Sequence, residues 1–444
     1  MFAQSWNPRP QGLPWLAAGA AVLLLAVLLL AAACAVNPVT GQEELVLMSE
    51  SQELALGARY YPQTTQINYG LPAADPGLQG YVERVGRSLA ARSQRPRIPW
   101  QFNAVNSSQV NAFALPGGKI SITRGLITKM GSEDELASVL GHEIGHVTAR
   151  HTVAQYTRGM LISAAVLGLG LALSGSDYQQ LGLLSAGVAG RLLMLGYSRD
   201  QERQADQLGY DYMVSRGYNP RGQLLVFKTF QKLDKHQPTF IEAMLSSHPL
   251  TAERVQAARW RVAHSDPRLV SQPLRVRPFQ QALARQMDRR PAYRAMDAGD
   301  KLMAQKRFDQ AAGQYKKAIH LFEREGVFHT KLALARFQAG HFRQALKPAR
   351  LGVRYSPEVF FSHFVAGLAY WRTRQFKKAL PRFQDADRLL PTYARNKLFL
   401  AACYESLGQT ARAVHYYRQV VAMAPRTSEA QAALGRLQRL GYQP

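Results

Sequence analysis

SEDELASVLGHEIGHVTARH, residues 132–151, contains three histidines, two of them four residues apart with a glutamate between. Ser132 and Glu135 form a capping-box pair that starts a helix here. Side chains four apart share one helical face, so His142 and His146 can present two imidazoles to a single metal ion. Glu143 lies on nearly the same face. The plain alternative is a helix with two hydrogen-bonded histidines and no metal.

A catalytic zinc needs a third protein ligand and one open position. The extended pattern HExxHxxGxxH is excluded, because Ala149 holds its glycine place and Thr152 its last histidine place. His151 is one residue off and reads as structural or as support to a ligand. The other common solution takes a glutamate from a later helix, and SRDQERQADQLGYDYMVSRGY, residues 198–218, has that character. Glu202 would complete a His, His, Glu set. Asp206, one turn on, could accept the second ring N–H of a ligand histidine and fix its tautomer. Alternatively, Glu202 is a surface carboxylate paired with Arg199 or Arg203.

The chain of 444 residues has room for two or three domains, and 47% hydrophobic content allows a buried core. Its formal charge of +25 suits anionic partners, although a solvated arginine-rich surface accounts for it equally. An apolar run from Leu13 to Ala33 ends in LAAAC, small residues before Cys34, which resembles a lipoprotein cleavage box. Leu30 stands one place earlier than such a box usually has it. If cleaved, Cys34 is the lipidated first residue; if not, residues 1–33 anchor the chain in the inner membrane. The other cysteine, Cys403, reads as a small core residue. Two apolar stretches, 160–174 and 181–196, are each short for a membrane span and read as buried or interfacial helices, with membrane contact the lesser reading. NAFALPGGKISITRGLI, residues 111–127, alternates and reads as a hairpin or edge strand turning at Pro116, Gly117 and Gly118.

Pro267, Pro273, Pro278 and Pro291 mark a domain boundary. Beyond it Phe308, Phe342 and Phe376 recur every 34 residues, in step with Ala311, Ala345, Ala379 and Ala413 and with Pro357, Pro391 and Pro425. This resembles the tetratricopeptide repeat, two antiparallel helices per unit with small residues at their contact. Four units fill about 292–427, with a capping helix at 428–442; Glu323 replaces the proline of the first. Residues 292–444 hold 26 basic against 10 acidic residues, so acidic or membrane-near partners are expected there.

HEIGHVTARH with SRDQERQADQLG resembles the signature of the zinc metallopeptidases that include the CAAX prenyl proteases and HtpX. CAVNPVTGQ, NAFALPGG and SSHPLTAERV are similar to its exported, repeat-bearing members, the beta-barrel assembly-enhancing type. The resemblance implies one zinc per chain held by His142, His146 and Glu202, with Glu143 catalytic. It also implies that the strand Asn111, Ala112, Phe113, Ala114 holds extended substrate. His248 is expected either to fill the open zinc position and hold the enzyme latent or to be an ordinary loop histidine. Arg254 is expected to stabilise the developing oxyanion. The expected fold is mainly α with a small β-sheet. Residues 1–33 form a signal peptide or anchor, 34–264 an HExxH gluzincin-like peptidase domain, 265–291 a linker, and 292–444 an α-solenoid of four repeats plus a cap. The family implies an envelope protease on the periplasmic side, lipid-anchored with the outer membrane favoured, acting on unfolded or stalled outer-membrane proteins and contacting the barrel-assembly machinery. A scaffold or chaperone with a latent site is the alternative. Nucleic acid is not an expected partner, since no recognition motif accompanies the charge.

Overall fold

The structure, a computed structural model, describes residues 34–71, 75–160, 196–236, 238–425 and 427–442. The expected leader at 1–33 and nearly all of the two apolar stretches lie outside the described residues. Among the described residues no helix is long and apolar enough to cross a membrane. Strand β1 (Cys34–Val36) pairs antiparallel with β2 (Glu43–Leu45). Helix α1 (Glu50–Ile67) then starts on a complete capping box of Ser49 and Gln52, and α2 (Pro76–Ala90) on the Asp75 cap.

A three-stranded sheet follows, β3 (Gln101–Val105), β4 (Ala112–Leu115) and β5 (Lys119–Thr123), in the order β3-β5-β4. β3 runs parallel to β5, and β4 runs antiparallel with Ala112 opposite Ile122. Gly117 and Gly118 take φ of 72° and 79° in the turn, a region that strains any side chain. Because Thr123 N–H donates to Asn111 O, ladder alternation turns the backbone groups of Ala112 and Ala114 to the side of β4 away from β5, in residues that are themselves buried, 0% and 3% exposed. Among the described residues no strand covers that side.

After the one-turn helix α3 (Arg124–Ile127), α4 (Glu133–Thr148) carries the histidine motif. Ser132 caps it by accepting from Glu135 N–H. Glu135 turns its carboxylate to Gly131 N–H and the Ser132 hydroxyl, not to Ser132 N–H, so the reciprocal half of the box is absent. The helix stops at Thr148. Arg150 sits at φ 57°, and a new helical stretch, 151–160, sets off in another direction. Next come α5 (Arg199–Ser215), α6 (Arg221–His236), α7 (Pro238–Ser247) and α8 (Ala252–Ala263).

The stretch expected to be a linker is helical instead, α9 (Pro267–Ser271) and α10 (Val276–Asp288). Phe279 and Leu283 of α10, 1% and 3% exposed, belong to the same core as the sheet and α4. The prolines misled because a first helical turn tolerates them; Pro267 stands there. Four helix pairs follow: α11 (Arg290–Ala304) with α12 (Phe308–Leu321), α13 (Gly326–Gln338) with α14 (Phe342–Tyr355), α15 (Phe360–Arg372) with α16 (Phe376–Leu389), and α17 (Ala394–Ser406) with α18 (Thr410–Met423). The single helix α19 (Ser428–Arg439) closes the array. Ala311, Ala345, Ala379 and Ala413 are each 0% exposed, which is why that register admits only small residues.

The repeats rest on the rest of the chain through polar contacts. Gln66 of α1 donates to Glu358 O and accepts from Phe360 N–H, and the Arg124 guanidinium lies 3.6 Å over the Tyr293 ring. A deeper tie is the fully buried Glu53 of α1. Its carboxylate accepts from Arg95 at 2.8 Å, Arg150 at 3.0 Å and Gly117 N–H at 3.2 Å. One carboxylate thereby joins α1, the end of α4 and the turn beside β4. Glu53→Ala leaves Arg95 and Arg150 together with only the exposed Glu50, 3.4 Å from Arg95, as counter-charge, and urea unfolding is expected to show a loss of about 3–5 kcal/mol. A loss below about 1 kcal/mol would show that the cluster contributes little.

Candidate metal centre

α4 and α5 approach closely because the residues between them are small. A Cβ on Gly209 would stand 2.7 Å from His142 N, and one on Gly145 3.0 Å from Ala205 Cα. Backbone contact at this range brings the Glu202 carboxylate to the two imidazoles. His142 Nε2 and His146 Nε2 are 3.0 Å apart, and His146 Nε2 is 3.3 Å from Glu202 Oε1. His248, from the loop after α7, joins them: its Nδ1 is 2.9 Å from Glu202 Oε1 and 3.3 Å from His142 Nε2. One ligand atom from each of the four residues lies within 4.8 Å of all the others. Bonds of about 2.0–2.1 Å in a tetrahedral zinc site imply ligand separations of roughly 3.3 Å. The set therefore fits one zinc ion.

The hydrogen bonds around the set fix its tautomers. His142 Nδ1 lies 3.0 Å from Asp206 Oδ1, a carboxylate that can only accept, so the proton is on Nδ1 and the Nε2 lone pair faces the centre. His146 Nδ1 lies 2.9 Å from His151 Nδ1, and His151 Nε2 lies 2.8 Å from Gln204 Oε1. If His151 donates to Gln204, it accepts from His146, which again leaves Nε2 of His146 free. The bend at Ala149 and Arg150 is what returns His151 to this position. Tyr197 stacks on the His146 ring at 3.7 Å between centroids.

Arg254 sits differently from the sequence expectation. Its Nε and Nη2 donate to Asp206 at 2.7 and 2.8 Å, and its Nη1 lies 2.5 Å from Glu202 Oε2 and donates to Pro249 O. These donors hold the two carboxylates and the His248 loop and are not turned toward a substrate oxyanion. Arg203 pairs with Asp200 and Glu253, so Glu202 is not the surface partner of a neighbouring arginine.

Burial raises the Glu143 carboxyl above its ordinary range, and the electrostatic influence of the neighbouring His248 and His142 rings only partly offsets this. Both its oxygens are buried without a hydrogen-bond partner among the described residues. Burial also favours the neutral form of Glu202, but the His248 and His142 rings, with hydrogen bonds from His146 and His248, prevail and hold it well below the usual range. Asp206 is likewise lowered, Arg254 outweighing burial, and burial holds His146 well below an ordinary histidine. The centre thus keeps an ionised third ligand and neutral His146 beside a carboxyl poised to exchange a proton. β4, with Asn111 just before it, packs against α4.

The structure brings His142, Glu143, His146, Glu202, Asp206 and His248, all singled out in the sequence, into one neighbourhood. The sequence reading missed Gln204 and Tyr197. Gln204 carries a weak signal, two residues after the proposed ligand; Tyr197 carries none.

Fold and site define a class, the HExxH metallopeptidases whose third ligand is a glutamate from a later helix. The sequence profile of peptidase family M48 matches residues 76–262, and that of regulator of microtubule dynamics protein 1-3 matches residues 368–441. Metalloprotease YcaL of Escherichia coli (strain K12) is 30% identical over 257 residues, which is 53% of this chain and 97% of YcaL. The chain belongs to peptidase family M48. The beta-barrel assembly-enhancing protease of Yersinia pestis is 31% identical over 236 residues, 52% of this chain and 48% of that protein. The chain thus spans about half the length of the curated relatives of this second kind. A tetratricopeptide-repeat protein of Thermus thermophilus is similar at 22% identity and a TM-score of 0.31, covering 34% of this chain and 83% of that one.

Two outcomes are expected. Gly209→Ala, by forcing α5 off the His142 backbone, lowers zinc affinity at least tenfold in chelator competition; unchanged affinity would mean that the helix spacing does not set the site. His151→Ala lowers it about 10–100-fold, as loss of a partner to a ligand histidine does. Affinity within twofold of the wild type would remove His151 from the tautomer chain.

Proposed function

We propose that the chain is an exported zinc endopeptidase that cleaves unfolded or misassembled envelope proteins, with the repeats docking substrate or partner. The observation that carries this reading is the buried Glu143 carboxylate, without a hydrogen-bond partner among the described residues, beside a convergent His142, His146, Glu202 set. Zinc bound there supplies Lewis acidity, polarising a peptide carbonyl and making water easier to deprotonate. Glu143, with its raised pKa, accepts the water proton and returns it to the leaving amine. Asp206, His151 and Arg254 hold the ligand side chains through the cycle. The side of β4 away from β5 pairs with no strand among the described residues, and an extended segment adds there to the Ala112 and Ala114 backbone groups, buried at 0% and 3% exposure, once what covers them moves aside, with Asn111 and Phe113 flanking them. That geometry favours unfolded chain over compact domains.

His248 adds latency to this reading. Its ring takes the fourth position around the set, and together with Leu250 it lines a recess of only about 20 Å³ that also touches Glu143, Phe227, Phe230 and Met244. Withdrawal of the His248 loop frees the fourth position and widens the recess for an apolar substrate side chain. An export segment ending at Cys34 and the kinship with beta-barrel assembly-enhancing proteases support a periplasmic, lipid-anchored enzyme that acts on stalled outer-membrane proteins beside their assembly machinery. The scaffold reading is favoured only so far as His248 stays in place.

Casein cleavage by the zinc-loaded protein tests the proposal. Glu143→Gln is expected to lower turnover roughly 10²–10⁴-fold while keeping one zinc per chain, and retained turnover would overturn the assignment. His248→Ala is expected to raise cleavage several-fold. A rate equal to the wild type would rule out the gate.

A further inference from the structure

Outside the metal centre, helix α14 carries Arg343, Lys347, Arg350 and Arg354 at spacings of four, three and four, which puts all of them on one face. All four are exposed, the helix contains no acidic residue, and none of them enters an ion pair among the described residues. Four other cations of the repeats are paired, Lys331 with Asp300, Arg336 with Asp309, Lys397 with Asp387 and Arg436 with Glu405. Like charges at this spacing repel and weaken a helix, so the array is unfavourable until an anion lies against it.

Beside the array a groove of about 370 Å³ runs between α14, α15 and α16. Arg350, Lys377, Lys378 and Arg382 surround it, and of these only Arg382 pairs with a carboxylate among the described residues, Asp385 at 3.2 Å. Val353, Tyr370 and Pro381 give the same groove an apolar lining. We propose that it binds an acidic, extended peptide segment of a partner protein. Carboxylates of the segment meet the cations, and an apolar side chain between them packs on Tyr370 and Pro381. A concave slot with an apolar lining suits a peptide better than the flat face of an anionic bilayer, which could reach the α14 stripe but not fill the groove. This goes beyond the proposed peptide cleavage and does not depend on it.

The test uses the full chain carrying Glu143→Gln, so that no probe is cut. A fluorescein-labelled decapeptide alternating glutamate with leucine is titrated by anisotropy. Two double charge reversals of equal net change are compared, Arg350→Glu with Lys377→Glu in the groove and Arg268→Glu with Arg277→Glu outside it. The expected result is binding that weakens at least tenfold for the groove pair, stays within twofold for the other pair, and weakens at least threefold for a decaglutamate probe. In the protein without reversals, the bound peptide is expected to slow amide exchange in α14 and α16 but not in α18, which holds the proposal to account even if a reversal fails to fold. No binding, equal weakening by both pairs, or no protection of α14 and α16 would overturn it. So would groove-dependent binding of phosphatidylglycerol vesicles with none of the peptide.

Discussion

The architecture depends on how closely α4 and α5 can lie. Two imidazoles from one helix are set by the helical repeat alone, but the third ligand comes from 56 residues further along the chain, Glu202 against His146. Only backbone-to-backbone contact at Gly141, Gly145, Ala205 and Gly209 lets a glutamate side chain reach both rings. A larger residue at that contact would force the helices apart by more than a carboxylate can follow. Gly141 and Gly145, helix-weakening in isolation, make this approach possible.

Around that contact most of the buried polar groups serve orientation. Asp206 points His142, His151 points His146, and Arg254 holds Asp206 and Glu202 while binding Pro249 O next to His248. The last arrangement couples the loop that carries His248 to the carboxylates of the centre. Glu53 does similar work just past the C-terminal end of α4, tying the helix to the turn of the β4–β5 hairpin. The helix that presents the ligands and the strand with the open edge are therefore braced against one another by charge as well as by packing.

Much of this was legible in the sequence where a period or a spacing carried it. The four-residue spacing of His142 and His146, the turn between Glu202 and Asp206, and the 34-residue register of the repeats are local patterns that helix geometry converts directly into faces. What was not legible depends on distant partners. Nothing near Glu53 announces that Arg95 and Arg150 will meet it. Nor does HVTARH announce that Arg150 breaks the helix at positive φ and brings His151 back to His146. The prolines of 265–291 suggested a linker because proline can either start a helix or prevent one, and only the burial of Phe279 and Leu283 decides between them. Arg254 was legible as a neighbour of the site but not in its role, since the carboxylates that occupy it lie on another helix.

X-ray absorption at the zinc edge, on the loaded wild type and on His248→Ala side by side, measures the central claim most directly. The account predicts an all nitrogen and oxygen shell with three imidazoles in the wild type and two in the variant. A sulfur scatterer, fewer than two imidazoles in the variant, or an unchanged imidazole count between the two proteins would contradict it.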